Sequence, residues 1–133
     1  MTWYVGVLKQ YAVFRGRARR KEYWMFILVN FLIMSLLGLL LNRTDAFVLT
    51  LLASLYPLAI LLPWVSVTVR RLHDVGRSGW WALLGLAPIF APVLPAPISL
   101  VTIVMWIALH VFMLLDSQPG ENRFGPNPKT AAA

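Results

Sequence analysis

The densest group of chemically capable side chains lies at residues 70–81, RRLHDVGRSGWW. Arg70, Arg71 and Arg77 carry permanent positive charge, His73 and Asp74 stand side by side, and Gly76 and Gly79 precede the Trp80–Trp81 pair. An adjacent His–Asp pair occurs in metal-dependent phosphohydrolases, but such sites need further His and Asp ligands converging on the metal. Here the remaining candidates are His110 and Asp116, so neither a metal centre nor a cofactor is expected. His73 titrates near neutrality and could exchange protons. No nucleophile stands partnered with it, and the chain is not expected to be an enzyme. The arginines fit another chemistry: guanidinium forks match the oxygens of a phosphate or an anionic headgroup. Arg70, Arg71, Arg77 and His73 are therefore candidates for binding such a group. Asp74 is expected to bond loop N–H groups or to pair with Arg71 or Arg77.

Two further stretches could join that group. FRGRARRKEYW (14–24) sets Arg15, Arg17, Arg19, Arg20 and Lys21 within seven positions, with Glu22 as its one acid. Its cations can hold this end of the chain on one side of a membrane and touch anionic headgroups, each contributing about 1 kcal/mol. Glu22 is placed to pair with an arginine of the 70–77 stretch. PGENRFGPNP (119–128) has the Gly and Pro spacing of consecutive turns. Asn122 and Arg123 are its best-placed polar side chains. This tail is expected to fold back on residues 70–81, with Glu121 or Asp116 meeting an arginine there. The candidate binding set for lipid or a partner is thus Arg17, Arg20, Glu22, Arg70, Arg71, His73, Asp74, Arg77, Asn122 and Arg123.

The elements that position these residues are apolar. Of the 133 residues, 59% are hydrophobic, and the mean hydropathy is +0.72. That exceeds the apolar share of an ordinary soluble domain. The absence of cysteine excludes disulfides and thiolate chemistry. The length suits one integral membrane domain. Residues 24–41 form a first apolar run of roughly 27 Å as a helix, close to the thickness of a bilayer core. The short NRTD break (42–45) makes the next run an antiparallel neighbour, and Thr44 or Asp45 could cap it. The second run, 46–69, contains Pro57 and Pro63, tolerable where neighbours satisfy the freed carbonyls. Residues 80–115 carry no formal charge but four prolines. They read as a short helix at 80–91 with Ser78 as N-cap, a turn at 92–97, and a last span at 98–115. Residues 70–79 then form a loop, its glycines turning tightly and its tryptophans anchoring at the interface. Residues 116–133 form a polar tail whose last residues are expected to be disordered.

Charge sets the orientation. Eleven of the twelve Lys and Arg fall on one side of this arrangement, and only Arg43 falls on the other. The positive-inside rule then puts both termini in the cytoplasm. Trp3, Tyr4, Val7, Leu8, Tyr11 and Phe14 recur at helical spacing. Residues 3–14 therefore read as an amphipathic helix lying in the interface, within a cytoplasmic segment 1–23. The aromatic residues precede the charges, unlike a cleavable signal, so the first run is expected to remain as an anchor. The net charge of +7 is better explained by lipid than by nucleic acid. His110, inside the last span, is expected to play a structural part, bonding to Asn30, Ser35 or Ser66.

FRGRARRKEYW, RRLHDVGRSGWW and PGENRFGPNP, in this order around these apolar runs, resemble the bacterial inner-membrane family catalogued as domain of unknown function 805. The pattern matches at Phe14, Gly16, Arg17, Arg20, Tyr23 and Trp24, from Arg70 to Asp74, and from Gly76 to Trp81. In the tail it matches at Gly120, Asn122, Gly125 and Pro128. Arg15 and Arg19 depart from it, being basic where small polar residues are usual. The resemblance implies a small multi-span protein of the bacterial plasma membrane and implies no reaction. The expected fold is an all-α polytopic membrane bundle of four segments, the third short and broken by proline, after an N-terminal interfacial helix. The expected function is a non-enzymatic binding or adaptor module whose basic cytoplasmic face contacts anionic lipid or a membrane protein partner, with homo-oligomers possible. A small oligomeric transporter or channel is the alternative.

Overall fold

The computed structural model describes residues 2–44 and 46–130. Among these described residues four α-helices follow one another: α1 (Thr2–Lys9), α2 (Arg20–Leu41), α3 (Phe47–Asp74) and α4 (Ala96–Leu114). Two short 3-10 helices, Gly79–Gly85 and Ala87–Val93, join α3 to α4. No strand forms among the described residues; one bridge, between Asn122 and Gly125, closes a turn in the tail. The expected all-α membrane bundle is what forms. α2, α3 and α4 are each long and apolar enough to cross a bilayer, and Gly79–Val93 is a shorter apolar stretch. In hydrocarbon a helix is the one single-segment way to satisfy every backbone N–H and C=O.

The bundle wears its apolar side chains outward. Phe31, Leu36, Leu39, Phe47, Leu58 and Val104 are all exposed. Water would penalise such a surface, whereas lipid tails solvate it. Close packing is concentrated at one end, where Tyr23, Phe26, Val67, Leu72, Leu109 and Met113 are fully enclosed. Here α2 begins and α3 and α4 finish. Arg20 Nη1 donates to the Leu114 carbonyl at 3.1 Å, and Arg71 Nε to the Met113 carbonyl at 3.3 Å. We refer to this as the polar end.

The NRTD connection returns α3 antiparallel to α2. Tyr56 donates to Asn30 Oδ1 at 2.6 Å midway along the pair, and Ala18 N–H donates to the Arg70 carbonyl at the polar end. Thr44 does not cap α3: its hydroxyl bonds back to the Leu40 carbonyl at 3.2 Å, and Ala46 at the cap has no side-chain bond to offer. Asp45, the other expected cap, lies outside the described residues, as do the last residues of the tail, 131–133. α3 runs unbroken through both prolines. Pro63 frees the carbonyl four residues earlier, that of Ala59, and the Tyr11 hydroxyl donates to it.

Several expected boundaries are corrected. Arg70 to Asp74 are not loop but the last turn of α3. The helix outlasts its apolar run because Arg71 and Asp74 bond to each other and to buried partners from distant segments. The third segment is two 3-10 helices rather than one α-helix at 80–91; the second runs on through Pro92, and α4 starts at Ala96. In the second of these, Pro88 and Pro92 remove donors that i−4 bonding needs, and the tighter coil results; the first contains no proline. Ser78 sits at the cap of the first but makes no side-chain cap bond; its carbonyl accepts from Trp81 N–H at 3.3 Å. The N-terminal helix ends at Lys9 instead of Phe14. It also docks on the bundle instead of only lying in the interface. Val7 is buried, and Tyr4 stacks on Phe26 with ring centroids 5.6 Å apart. Ser66 Oγ holds the following turn through the carbonyls of Gln10 and Val13, at 3.1 and 2.7 Å.

Candidate functional site at the polar end

Asp74, the last residue of α3, organises this end. Its Oδ1 accepts from Arg17 Nε at 3.0 Å. Its Oδ2 accepts from Arg71 Nη1, one helical turn away on α3, and from Ser117 Oγ at 2.6 Å. Its backbone carbonyl accepts from Gln118 N–H at 3.0 Å. Three segments far apart in sequence thus meet on one residue. Asp74 pairs with Arg71, one of the two expected partners, but with Arg17 rather than Arg77.

Arg17 comes from the stretch between α1 and α2 and commits all three nitrogens. Besides Asp74, Nη1 donates to the carbonyls of Gly120 (2.8 Å) and Gly125 (3.3 Å), and Nη2 to that of Gln118 (2.6 Å). Arg71 Nη2 donates to the Leu115 carbonyl. One carboxylate cannot neutralise two buried guanidiniums. The carbonyls of Met113, Leu115, Gln118, Gly120 and Gly125 supply the remaining negative potential, and in a poorly solvated interior each such dipole acts strongly. The tail's turns thus aim carbonyls at the two arginines. Gly76 adopts φ +75°, and a Cβ there would collide with the Gln118 side chain. The positive φ is what favours glycine here, since the end of the Gln118 side chain could move aside.

Around this clasp sits a second layer. Arg70 Nη1 lies 3.5 Å from Glu22 Oε2, so Glu22 does meet an arginine of the 70–77 stretch. Arg70 Nε and Nη2 are buried without hydrogen-bond partners among the described residues. The His73 ring lies flat on Phe124, centroids 3.8 Å apart and planes 5° apart. Its Nδ1 is 3.2 Å from the Gly16 carbonyl, and since a carbonyl only accepts, Nδ1 carries the proton. Asn122 Nδ2 donates to the His73 carbonyl and to Gln118 Oε1, both at 3.0 Å. Arg123 lies 4.6 Å from the Phe124 ring centroid. Arg77 is exposed and faces the rings of Phe112 and Trp81 at 4.9 and 5.8 Å, a cation–π arrangement.

The tail therefore folds back as expected, but through other partners. Glu121 is exposed and makes no ion pair among the described residues. Asp116 meets Arg20 of α2 (3.7 Å) and Lys129, not an arginine of residues 70–77. The Lys129 ammonium and the Ser117 N–H, both bonded to its Oδ1, hold the Asp116 carboxyl below its ordinary range. His110 bonds to none of its expected partners: Nδ1 reaches the Trp106 carbonyl at 2.9 Å and Nε2 lies 3.5 Å from Tyr23 Oη.

Of the ten candidate residues, Arg17, Arg70, Arg71 and Asp74 are buried, and Arg20, Arg77 and Arg123 are exposed. Glu22, His73 and Asn122 lie between. Arg17, Arg71 and Asp74 are engaged with one another and with the tail, so they cannot reach an external headgroup in this conformation. Ser117 and Gln118 were not anticipated. The Gly, Pro and Asn pattern of the tail signals turns, but it does not signal which carbonyl faces which arginine. Among the described residues, no three His, Asp or Glu side chains are grouped to hold a metal ion.

The sequence profile of the family described as proteins of unknown function, DUF805, matches residues 11–126. The chain is 48% identical over 132 residues to the inner membrane protein YhaH of Escherichia coli strain K12, spanning 97% of this chain and 98% of that one. It is 41% identical over 132 residues to the inner membrane protein YhaI of the same strain, spanning 97% of each. No solved structure matches the chain.

Proposed function

The chain belongs to the DUF805 family and is an inner-membrane protein with apolar helices; from that premise we propose that it is a non-enzymatic binding module whose clasped polar end contacts anionic lipid headgroups at the cytoplasmic face. In this reading the chain crosses the bilayer several times and both termini are cytoplasmic. The skew of Lys and Arg toward the polar end supports that orientation.

One observation carries the reading: the groups with chemical potential are consumed by the fold. Asp74, Arg17 and Arg71 hold one another and the tail, with side chains at most 1% exposed. A carboxylate so engaged is unsuited to general-base or ligand duty. The cations left exposed around it, Arg15, Lys21, Arg77 and Arg123 among them, form a basic rim. Such a rim attracts an anionic membrane surface.

Nanodiscs of mixed phosphatidylcholine and phosphatidylglycerol test this. Phosphatidylglycerol should be enriched around the protein over its bulk share, and less so once Arg15, Arg77 and Arg123 are all replaced by Gln. Equal enrichment in both proteins would overturn the reading. Because the chain has no cysteine, Arg43→Cys and Arg123→Cys report orientation. A membrane-impermeant maleimide should label position 43 in cells with a permeabilised outer membrane, and position 123 only after lysis. The opposite pattern would reverse the assigned topology.

A further inference from the structure

Four cations outside the Asp74 clasp converge on one cavity beside the start of α2. Arg19, Arg20 and Lys21 arrive from the chain ahead of the first apolar run, and Lys129 from the tail; together they line a space of about 310 Å³. Like charges converge only where something holds them. Arg19 Nε donates to the Pro128 carbonyl at 2.7 Å, and its guanidinium lies 5.7 Å from the Trp3 ring. Arg20 is held by the Leu114 carbonyl, and Lys129 by Asp116. The Lys21 side chain is exposed and makes no hydrogen bond or ion pair among the described residues.

One carboxylate, Asp116, contacts this group, bonded to Lys129 and 3.7 Å from Arg20. Glu22 also feels the charge of Arg19 but is paired with Arg70, so even counting it two negative charges stand against four positive ones and the cavity stays positive. The pinned side chains also keep donors free. Arg19 Nη1 is unengaged, and the Lys129 ammonium gives one of its three hydrogens to Asp116. The fold therefore holds cations in place, at a cost in mutual repulsion, with hydrogen-bonding capacity left over.

We propose that this cavity binds a phosphate-type oxyanion, the phosphate of an anionic phospholipid headgroup being the ligand in the membrane. Two guanidinium forks and two ammonium groups around one space suit a group presenting several charged oxygens, which a carboxylate does not. Depth fits as well. Lys21 precedes Trp24, where the apolar run begins, by roughly 5 Å of helix rise, which sets the cavity at headgroup level. The inference rests on the lipid-facing reading of the polar end but is narrower, replacing a diffuse basic rim with one saturable site.

Native mass spectrometry of the full chain in mild detergent, titrated with phosphatidic acid and with phosphatidylglycerol, tests it. The wild-type protein should take up one phospholipid ahead of all others. Lys21→Gln with Lys129→Gln should weaken that step about tenfold or more, whereas Lys9→Gln with Arg43→Gln, the same charge removed elsewhere, should leave it within about twofold. Lys21→Gln alone touches no structural contact and should still weaken binding. A parallel titration with inorganic phosphate separates the sources of the ligand. A single phosphate adduct abolished by the cavity substitutions would assign the site to a soluble phosphate, and lipid uptake without such an adduct would assign it to a headgroup. Equal loss in both double variants would overturn the site and leave the lipid-facing reading standing. Loss in neither would overturn both.

Discussion

Arg17 Nε and Asp74 Oδ1 lie 3.0 Å apart, and neither side chain reaches solvent. Fifty-seven positions separate them in sequence, so the pair is a long-range staple between the stretch ahead of α2 and the end of α3. Because Arg17 also gathers the tail's carbonyls, a single guanidinium joins all three polar segments. The membrane-facing helices contribute little such specificity, since lipid solvates their apolar surfaces as well as a neighbouring helix does.

Asp74→Asn should therefore be far more damaging than a surface change. It leaves Arg17 and Arg71 buried without a counter-charge, and losing one partner of a buried pair costs about 3–5 kcal/mol. Unfolding by SDS titration in detergent micelles should show that loss, with protease cleavage appearing in residues 117–128. Arg15→Gln, at an exposed position two residues from Arg17, should stay within about 0.5 kcal/mol. Wild-type stability in Asp74→Asn would rule out the clasp as a stabilising element.

Glu22 and Arg70 should behave as a coupled pair. Glu22→Gln alone strands a guanidinium that already has two unpartnered nitrogens. Combining Glu22→Gln with Arg70→Met removes both charges, and a buried pair replaced by apolar volume is often tolerated. The double variant should be more stable than the sum of the singles by about 0.5–3 kcal/mol. Additivity in the same SDS titration would show that the two side chains do not interact.

Gly85 and Gly38 should respond in opposite ways to alanine. A Cβ at Gly85 would sit 2.8 Å from Trp64 Cζ2 and 2.9 Å from Leu109 Cδ2, pressing a 3-10 helix away from α3 and α4. Overpacking of this kind costs about 1–3 kcal/mol. At Gly38 nothing lies within 4 Å, and alanine is the better helix former, so Gly38→Ala should be neutral or stabilising. Thermal unfolding in one detergent compares them; equal midpoints would contradict the packing around Gly85.

The Asp116 contact should weaken only in acid. Its carboxyl is held below the ordinary value of 3.8, chiefly by Lys129. A carboxyl lowered by folding stabilises the docked tail fully above its unfolded pKa, and that contribution disappears as pH falls through the still lower folded value. The amide resonances of Lys129 and Thr130 should thus hold their positions from about pH 8 to about pH 5 and move only below about pH 4. High salt should shift them in the same direction at neutral pH, because the contact is exposed. Asp116→Asn should remove the acid response; a response persisting in that variant would assign it to another group.

Much was legible in advance. Hydropathy and charge are properties of local stretches, so the apolar runs, the gathering of cations at one end and the turn-forming tail can be read without coordinates. The pairing of Glu22 with an arginine of residues 70–77 followed from the same placement. The boundary at Val69 was misread because apolar pattern stops there, whereas the helix continues to Asp74 because Arg71 and Asp74 bond to each other and to buried partners from distant segments. The third segment was misread because proline spacing signals a break in α-helix without specifying the coil that replaces it.

Composition and periodicity by themselves determined a membrane bundle with one basic end, since both depend on residues close together in the chain. Only the tertiary structure decided which cations are structural. Arg15 and Arg17 are chemically identical and two positions apart, yet one is exposed and the other buried. The difference is that Arg17 faces Asp74 and the carbonyls of Gln118, Gly120 and Gly125. Desolvating a guanidinium is tolerable only where such partners converge from distant segments, and that convergence exists once the chain has folded.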